Sequence, residues 1–119
     1  MTWYSGFVTP IAEDGQTAYL DFARASWPIF RKHGALRMVE TWGEDVPPGK
    51  RTDFRRAVDA TEGETVVFSW IEWPDRATCD AAWPLIAQDP EMGALGDMPF
   101  DGRRMLWGGF RRIFDSDKE

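Results

Sequence analysis

The chain has 119 residues and a net charge of −6, with 14 Lys and Arg against 20 Asp and Glu. That length suits one domain across 1–119, and the acid excess, with a pI near 4.8, excludes the basic footprint that phosphate-backbone binding needs, so nucleic acid is not expected as a partner. A lone Cys79 beside a lone His33 cannot form an intramolecular disulfide or supply the ligand set of a structural zinc site, and neither a metal nor a cofactor is expected.

Residues Trp3 to Ile11 predict a strand, rich in β-branched and aromatic residues and ended by a polar turn at Ala12-Glu13-Asp14-Gly15. Asp14 is the expected N-cap of a helix in which Tyr19, Phe22, Ala23, Ile29, Phe30 and His33 recur at three- and four-residue spacing up to about Lys32. Gly34 is its expected stop, and Pro28 inside it predicts a kink or a looser turn near Arg24 to Trp27. Ala35 to Thr41, with Trp42 following, predicts a second strand, with Leu36, Met38, Glu40 and Trp42 on one face. A long connection from Gly43 to Gly63 is too punctuated for a regular helix, although Phe54 to Val58 suffices for one turn.

Glu64 to Trp73 is the clearest strand, and it is largely apolar on both faces. Pro74-Asp75 opens a second helix with Asp75 as its cap; Pro84 is expected to break or bend it, and a short turn over Glu91 to Leu95 precedes the loop Gly96 to Gly102. Arg103 to Phe114 predicts the last strand, with a bulge or a close backbone approach at Gly108-Gly109. No apolar run approaches the ~18 residues of a membrane span. The start, Met1-Thr2-Trp3-Tyr4, lacks the basic and apolar regions of a signal peptide, so a cytoplasmic location is expected, with no membrane partner.

Strand, helix, strand, strand, helix, strand is the α+β, ferredoxin-like βαββαβ order: a four-stranded antiparallel sheet with its helices on one face. Two helices cover one face only. The second apolar face of the third strand then needs a different cover, and a second copy of the same sheet, giving a homodimer and an eight-stranded dimeric α+β barrel, is the expected one. Seven Trp and eight Phe are more aromatic surface than so small a core needs, which also points to pockets or interfaces.

Three stretches together carry a family resemblance: His33-Gly34-Ala35-Leu36 leading to Glu44-Asp45-Val46, then Val67-Phe68-Ser69-Trp70-Ile71, then Met98-Pro99-Phe100-Asp101-Gly102-Arg103-Arg104-Met105 running into Gly108-Gly109-Phe110. With Gly6-Phe7-Val8 and Pro47 to Lys50 they cover nearly the whole chain, which resembles the YbaA-like family of small bacterial proteins of unknown function in the dimeric α+β barrel superfamily. The resemblance implies a fold and a dimer, and no reaction. It departs from the family pattern in the second helix, where relatives tend to carry Asn near Trp83 and no proline at Pro84.

Groups able to carry chemistry are few. His33 is the one imidazole and a candidate base, although a His ahead of a helix-stopping Gly also suits the dipole there. Glu40 and Glu72 interrupt apolar faces and would lie close if the second and third strands pair; apolar surroundings raise a carboxyl pKa, while ion pairs with Arg37, Arg104 or Arg111 are the structural alternative. Trp27, Trp42, Trp70, Trp83 and Trp107, with Arg104, are the candidate lining of a ligand site. The expected function is therefore binding of a small apolar or aromatic metabolite between sheet and helices, in a cavity of ~300 Å³ or more. The rival is a cofactor-independent enzyme, monooxygenase-like or isomerase-like, with His33 or a buried Glu as acid and base.

Overall fold

A computed structural model describes residues 1–118. In chain order the elements are β1 (Trp3–Ala12), α1 (Gln16–Lys32), β2 (Arg37–Trp42), α2 (Phe54–Ala57), β3 (Glu64–Trp73), α3 (Arg76–Gln88), α4 (Pro90–Gly93) and β4 (Leu106–Arg111). The two ten-residue strands pair along their whole length, Trp3 opposite Trp73 through Ala12 opposite Glu64. They form the middle of an antiparallel sheet of order β2-β3-β1-β4. This is the predicted ferredoxin-like α+β fold.

Side chains alternate across a strand, and the alternation divides the sheet. Toward α1 and α3 point Phe7, Met38, Ile71 and Trp73, which pack with Ala35, Cys79, Ala82 and Ile86 into the larger core cluster. Trp73 is fully buried there, and its indole N–H donates to Ser5 Oγ at 3.0 Å. Ser5 Oγ in turn sits 3.5 Å from the Sγ of Cys79, a buried free cysteine. A smaller cluster, Ile11, Tyr19 and Val67, packs with Trp42 and Phe100. On the other side, Tyr4, Gly6, Phe68, Trp70 and Phe110 line an open groove, with Phe68 and Phe110 exposed.

Local chemistry explains the ends of the helices. Asp75 caps α3 as expected, accepting from the Thr78 N–H at 2.7 Å. Asp14 does not cap α1; Gly15 holds that position with no side-chain bond. At the other end, Gly34 N–H donates to Arg31 O and Ala35 N–H to Phe30 O, both at 3.1 Å, which is the Schellman arrangement. It requires φ +110° at Gly34, where an added Cβ would also meet Thr78 Cγ2 at 2.5 Å. Gly34→Ala is expected to cost about 1–3 kcal/mol from the backbone alone, read as a lower midpoint in urea unfolding.

Several boundaries depart from expectation. Helix α1 runs through Pro28 to Lys32 as expected, and Pro84 does not break α3. Pro28 and Pro84 lie on exposed positions, and the carbonyls they leave without a helical partner, those of Arg24 and Asp80, belong to exposed residues as well, on the side of each helix that faces solvent. Strand β2 begins at Arg37 and ends at Trp42, because Ala35 is used by the helix stop. Strand β4 spans six residues, from Leu106 to Arg111, and not Arg103 to Phe114. Asp101 holds the Arg103 N–H at 3.0 Å and the Arg104 guanidinium at 3.0 Å, so those residues turn before pairing starts. At the far end, Arg112 closes a turn with Asp115 at 3.1 Å.

Candidate functional site

Between the sheet and the helices, flanked by the two clusters, lies a cavity of about 250 Å³, smaller than the expected ~300 Å³ or more. Strands supply Phe7, Thr9, Met38, Glu40, Ser69 and Ile71; α1 supplies Tyr19, Phe22, Ala23, Ser26 and Phe30; α3 supplies Trp83 and Ile86. Met92 of α4 and Met98, Phe100 and Met105 of the loop before β4 complete it. Phe100 packs against Tyr19 and Phe22 with ring centroids 5.8 and 6.1 Å away. Methionine side chains adapt to irregular contents, so this wall tolerates some variation in what it covers.

Glu40 is the charged residue of this lining. It stands on the inward face of β2 opposite Ser69 and within reach of Tyr19 on α1, whose hydroxyl donates to Glu40 Oε1 at 2.6 Å. Burial pushes the Glu40 carboxyl above the usual range, while the hydroxyls of Tyr19 and Ser69 work the other way. Burial, then the neighbouring carboxylate, pushes the Tyr19 phenol far up, so it stays protonated and remains a donor.

The other sequence candidates are dispersed. Glu72 stands opposite Arg37, on the outward face, while Glu40 stands opposite Ser69 and points inward. The expected juxtaposition of Glu40 and Glu72 is therefore not formed, although β2 and β3 do pair. His33 is the C-cap residue of α1, and its Nε2 lies 2.8 Å from Asp89 Oδ2, an oxygen that also takes Lys32 Nζ at 2.6 Å. Asp89 accepts the Glu91 N–H as well. Together these contacts tie the end of α1 to the corner between α3 and α4, outside the cavity lining.

Trp27 packs against the larger core cluster, and Trp42 packs edge-on to Tyr19 at 6.5 Å. Trp70 lies on the outward face beside Phe68, and Trp107, 75% exposed, lines a groove between α3 and β4. Arg104 grips Glu64 through two bonds of 2.8 and 2.9 Å and Asp101 through one of 3.0 Å, fastening the loop before β4 to the start of β3. Of the tryptophans, Trp83 of α3 reaches the cavity. Tyr19 was legible only as part of an apolar helical stripe. A phenol in such a stripe needs a buried partner for its hydroxyl, and an inward-facing glutamate is one.

Among the described residues no group of three or more His, Cys, Asp and Glu side chains could hold a metal ion, and no helix is long and apolar enough to cross a membrane. Fold and site thus define a ferredoxin-like α+β protein with an apolar cavity that carries one carboxyl group. The chain belongs to the DUF1428 family, described as a protein of unknown function, whose pattern matches residues 2–102. It is 50% identical over 116 residues to the uncharacterized protein YbaA of Escherichia coli (strain K12), covering 97% of this chain and 99% of that one. The same figures hold for the uncharacterized protein YbaA of Shigella flexneri. The expected membership of a YbaA-like family is borne out. Among solved structures, the chain is similar to a dimeric ferredoxin-like protein from an uncultured marine organism, with a TM-score of 0.59 over 97% of this chain and 99% of that one. Identity there is 12%, so the likeness speaks to the fold alone.

Proposed function

We propose that this protein binds a small apolar or aromatic molecule in the cavity between sheet and helices, with Glu40 and Tyr19 orienting its polar end. The observation that supports this reading is the cavity itself, about 250 Å³ with a predominantly apolar lining around one hydrogen-bonded carboxyl. Apolar cavities of ~150 Å³ are known to accept benzene, while drug-sized ligands need ~300 Å³ or more. The occupant is therefore a single ring or a short branched chain bearing few further atoms. Ala23 is small, buried and part of the lining, so Ala23→Phe is expected to fill the space. A thermal-shift screen of single-ring compounds should give hits that this variant loses by at least tenfold in Kd; hits that survive it unchanged would place binding elsewhere.

A second reading is favoured by one feature of Glu40, a carboxyl held above its usual range by burial inside the same cavity. Such a group can exchange a proton with a bound substrate at a higher pH than an exposed carboxyl. Under this reading Glu40→Gln lowers turnover of a hit by ~10²–10⁴. A matching loss in His33→Ala would move the acid–base role to the Asp89 cluster.

The working unit under both readings is a homodimer in the cytoplasm, formed through the outward sheet face. Phe68 is 48% exposed and Phe110 58%, and they share a groove with Tyr4 and Trp70, an apolar area that isolated chains seldom leave uncovered. The similar marine protein is itself described as dimeric. Light scattering at micromolar concentration is expected to give twice the chain mass, and Phe68→Glu to halve it. A folded wild-type monomer would remove this part of the reading.

A further inference from the structure

Resting on the binding reading above, we propose that the cavity selects an apolar amine, whose ammonium group pairs with Glu40 while its hydrocarbon part fills the aromatic space. Glu40 and Tyr19 are the titratable side chains among the described residues that line the cavity. No Lys, Arg or His is among them, so a carboxylic acid entering this space would set its charge beside Glu40 with no cation to offset either.

Thr9, Ser69 and Trp83 add two hydroxyls and an indole N–H to the lining, but what its one carboxyl offers is acceptance. An ionised carboxylate accepts through both oxygens and donates through neither, and the Tyr19 hydroxyl uses its proton on Glu40 Oε1. The Ser26 hydroxyl, in turn, donates to Ala23 O at 3.1 Å. A ligand's own donor is the complement of the Glu40 carboxylate. Among donors an ammonium has three protons and a charge, whereas a hydroxyl has one proton and none.

Charge favours the amine for a second reason. Glu40 is half-buried among apolar side chains before any ligand arrives, so part of the carboxylate's desolvation is met by the fold and not by binding. Pairing two ions usually fails because both must be desolvated on association; here one has been in part. The rings of Tyr19, Phe22, Phe30, Trp83 and Phe100 surround the same space, and aromatic faces attract a desolvated cation. The chain's net charge of −6 adds a long-range bias toward cations and against anions.

Three probes of nearly equal size separate the possibilities: benzylamine, benzyl alcohol and benzoate, titrated calorimetrically into the full chain at neutral pH. Benzylamine is expected to bind at least tenfold more tightly than benzyl alcohol, and benzoate more weakly than either. Benzylamine affinity should fall as the pH is lowered through the titration of Glu40, with no such fall for the alcohol. Glu40→Gln, which keeps an oxygen for Tyr19, should erase the amine's advantage. Because the ranking in the unaltered protein decides the matter, a misfolded variant does not rescue the proposal. Benzyl alcohol or benzoate binding as tightly as benzylamine overturns the amine preference and leaves the cavity reading standing. If no probe binds up to ~10 mM, equivalent to less than about 3 kcal/mol of affinity, the cavity reading falls with it.

Discussion

Replacing Trp73 by Ala lowers the unfolding free energy by about 3–5 kcal/mol, the range for emptying a large aromatic site in a packed core. Trp73 is fully buried, stands opposite Trp3 on β1, and packs against Trp83 with ring centroids 6.1 Å apart. Its loss opens a void beneath α3 and removes the donor on Ser5 Oγ. Trp73→Phe keeps most of the ring and leaves Ser5 its neighbour Cys79 at 3.5 Å, so it should cost about 1–2 kcal/mol. Urea unfolding at fixed protein concentration checks both. Equal costs for Ala and Phe would mean that the hydrogen bond, and not the volume, holds this site.

Stability should decline as the pH rises above the ordinary glutamate range, and Glu40→Gln should remove part of that decline. Glu40 has its folded pKa raised above the unfolded value of 4.5, with burial as the leading cause. Below 4.5 both states hold the proton and the residue is neutral in its effect. As the pH rises, the unfolded chain releases that proton first, so unfolding is favoured until the folded carboxyl has also ionised. The variant's advantage therefore grows through this window and then levels off. The acid side has the opposite sign. Arg104 holds the Glu64 carboxyl at about 2, and the Arg56 N–H and guanidinium hold Asp53 at about 2. The Lys32 ammonium and His33 hold Asp89 lower still. These contributions are complete above the unfolded carboxylate values and are lost as the pH falls through the folded ones. Wild-type stability should peak near the point where the two limbs meet, about pH 4–5. Thermal unfolding from pH 2 to 9 checks this, and a Glu40→Gln profile parallel to the wild type throughout would show that Glu40 is not buried against its ionisation.

Much of the architecture is local information. The β-branched and aromatic run Glu64–Trp73 marks a strand to its last residue, Gly34 and Ala35 close α1 by a backbone geometry that glycine permits, and Asp75 starts α3 with its own side chain. Each feature depends on residues within a turn of one another, so each is legible along the chain. The double apolarity of β3 is equally plain. It states that both faces seek cover, and it is silent on which face receives the helices.

That choice is tertiary, and the site depends on it. Pairing Arg37 with Glu72 sets Glu40 against Ser69; a slip of one residue would exchange the faces of every side chain on β2. Because β3 is apolar on both sides, its own pattern places no penalty on either register, and the outcome follows from how β2 leaves the Gly34 stop and how α1 packs over it. Only then does Tyr19, twenty-one positions away in the chain, meet the Glu40 carboxyl at 2.6 Å. The start of β4 is decided the same way, since Glu64 lies forty positions from the Arg104 it grips. Short-range chemistry along the chain sufficed for the elements, their order and the need for a second cover. Which carboxylate faces the cavity, and beside which donor, was settled by long-range register and packing, where many weak contacts act together and no single stretch of sequence records the result.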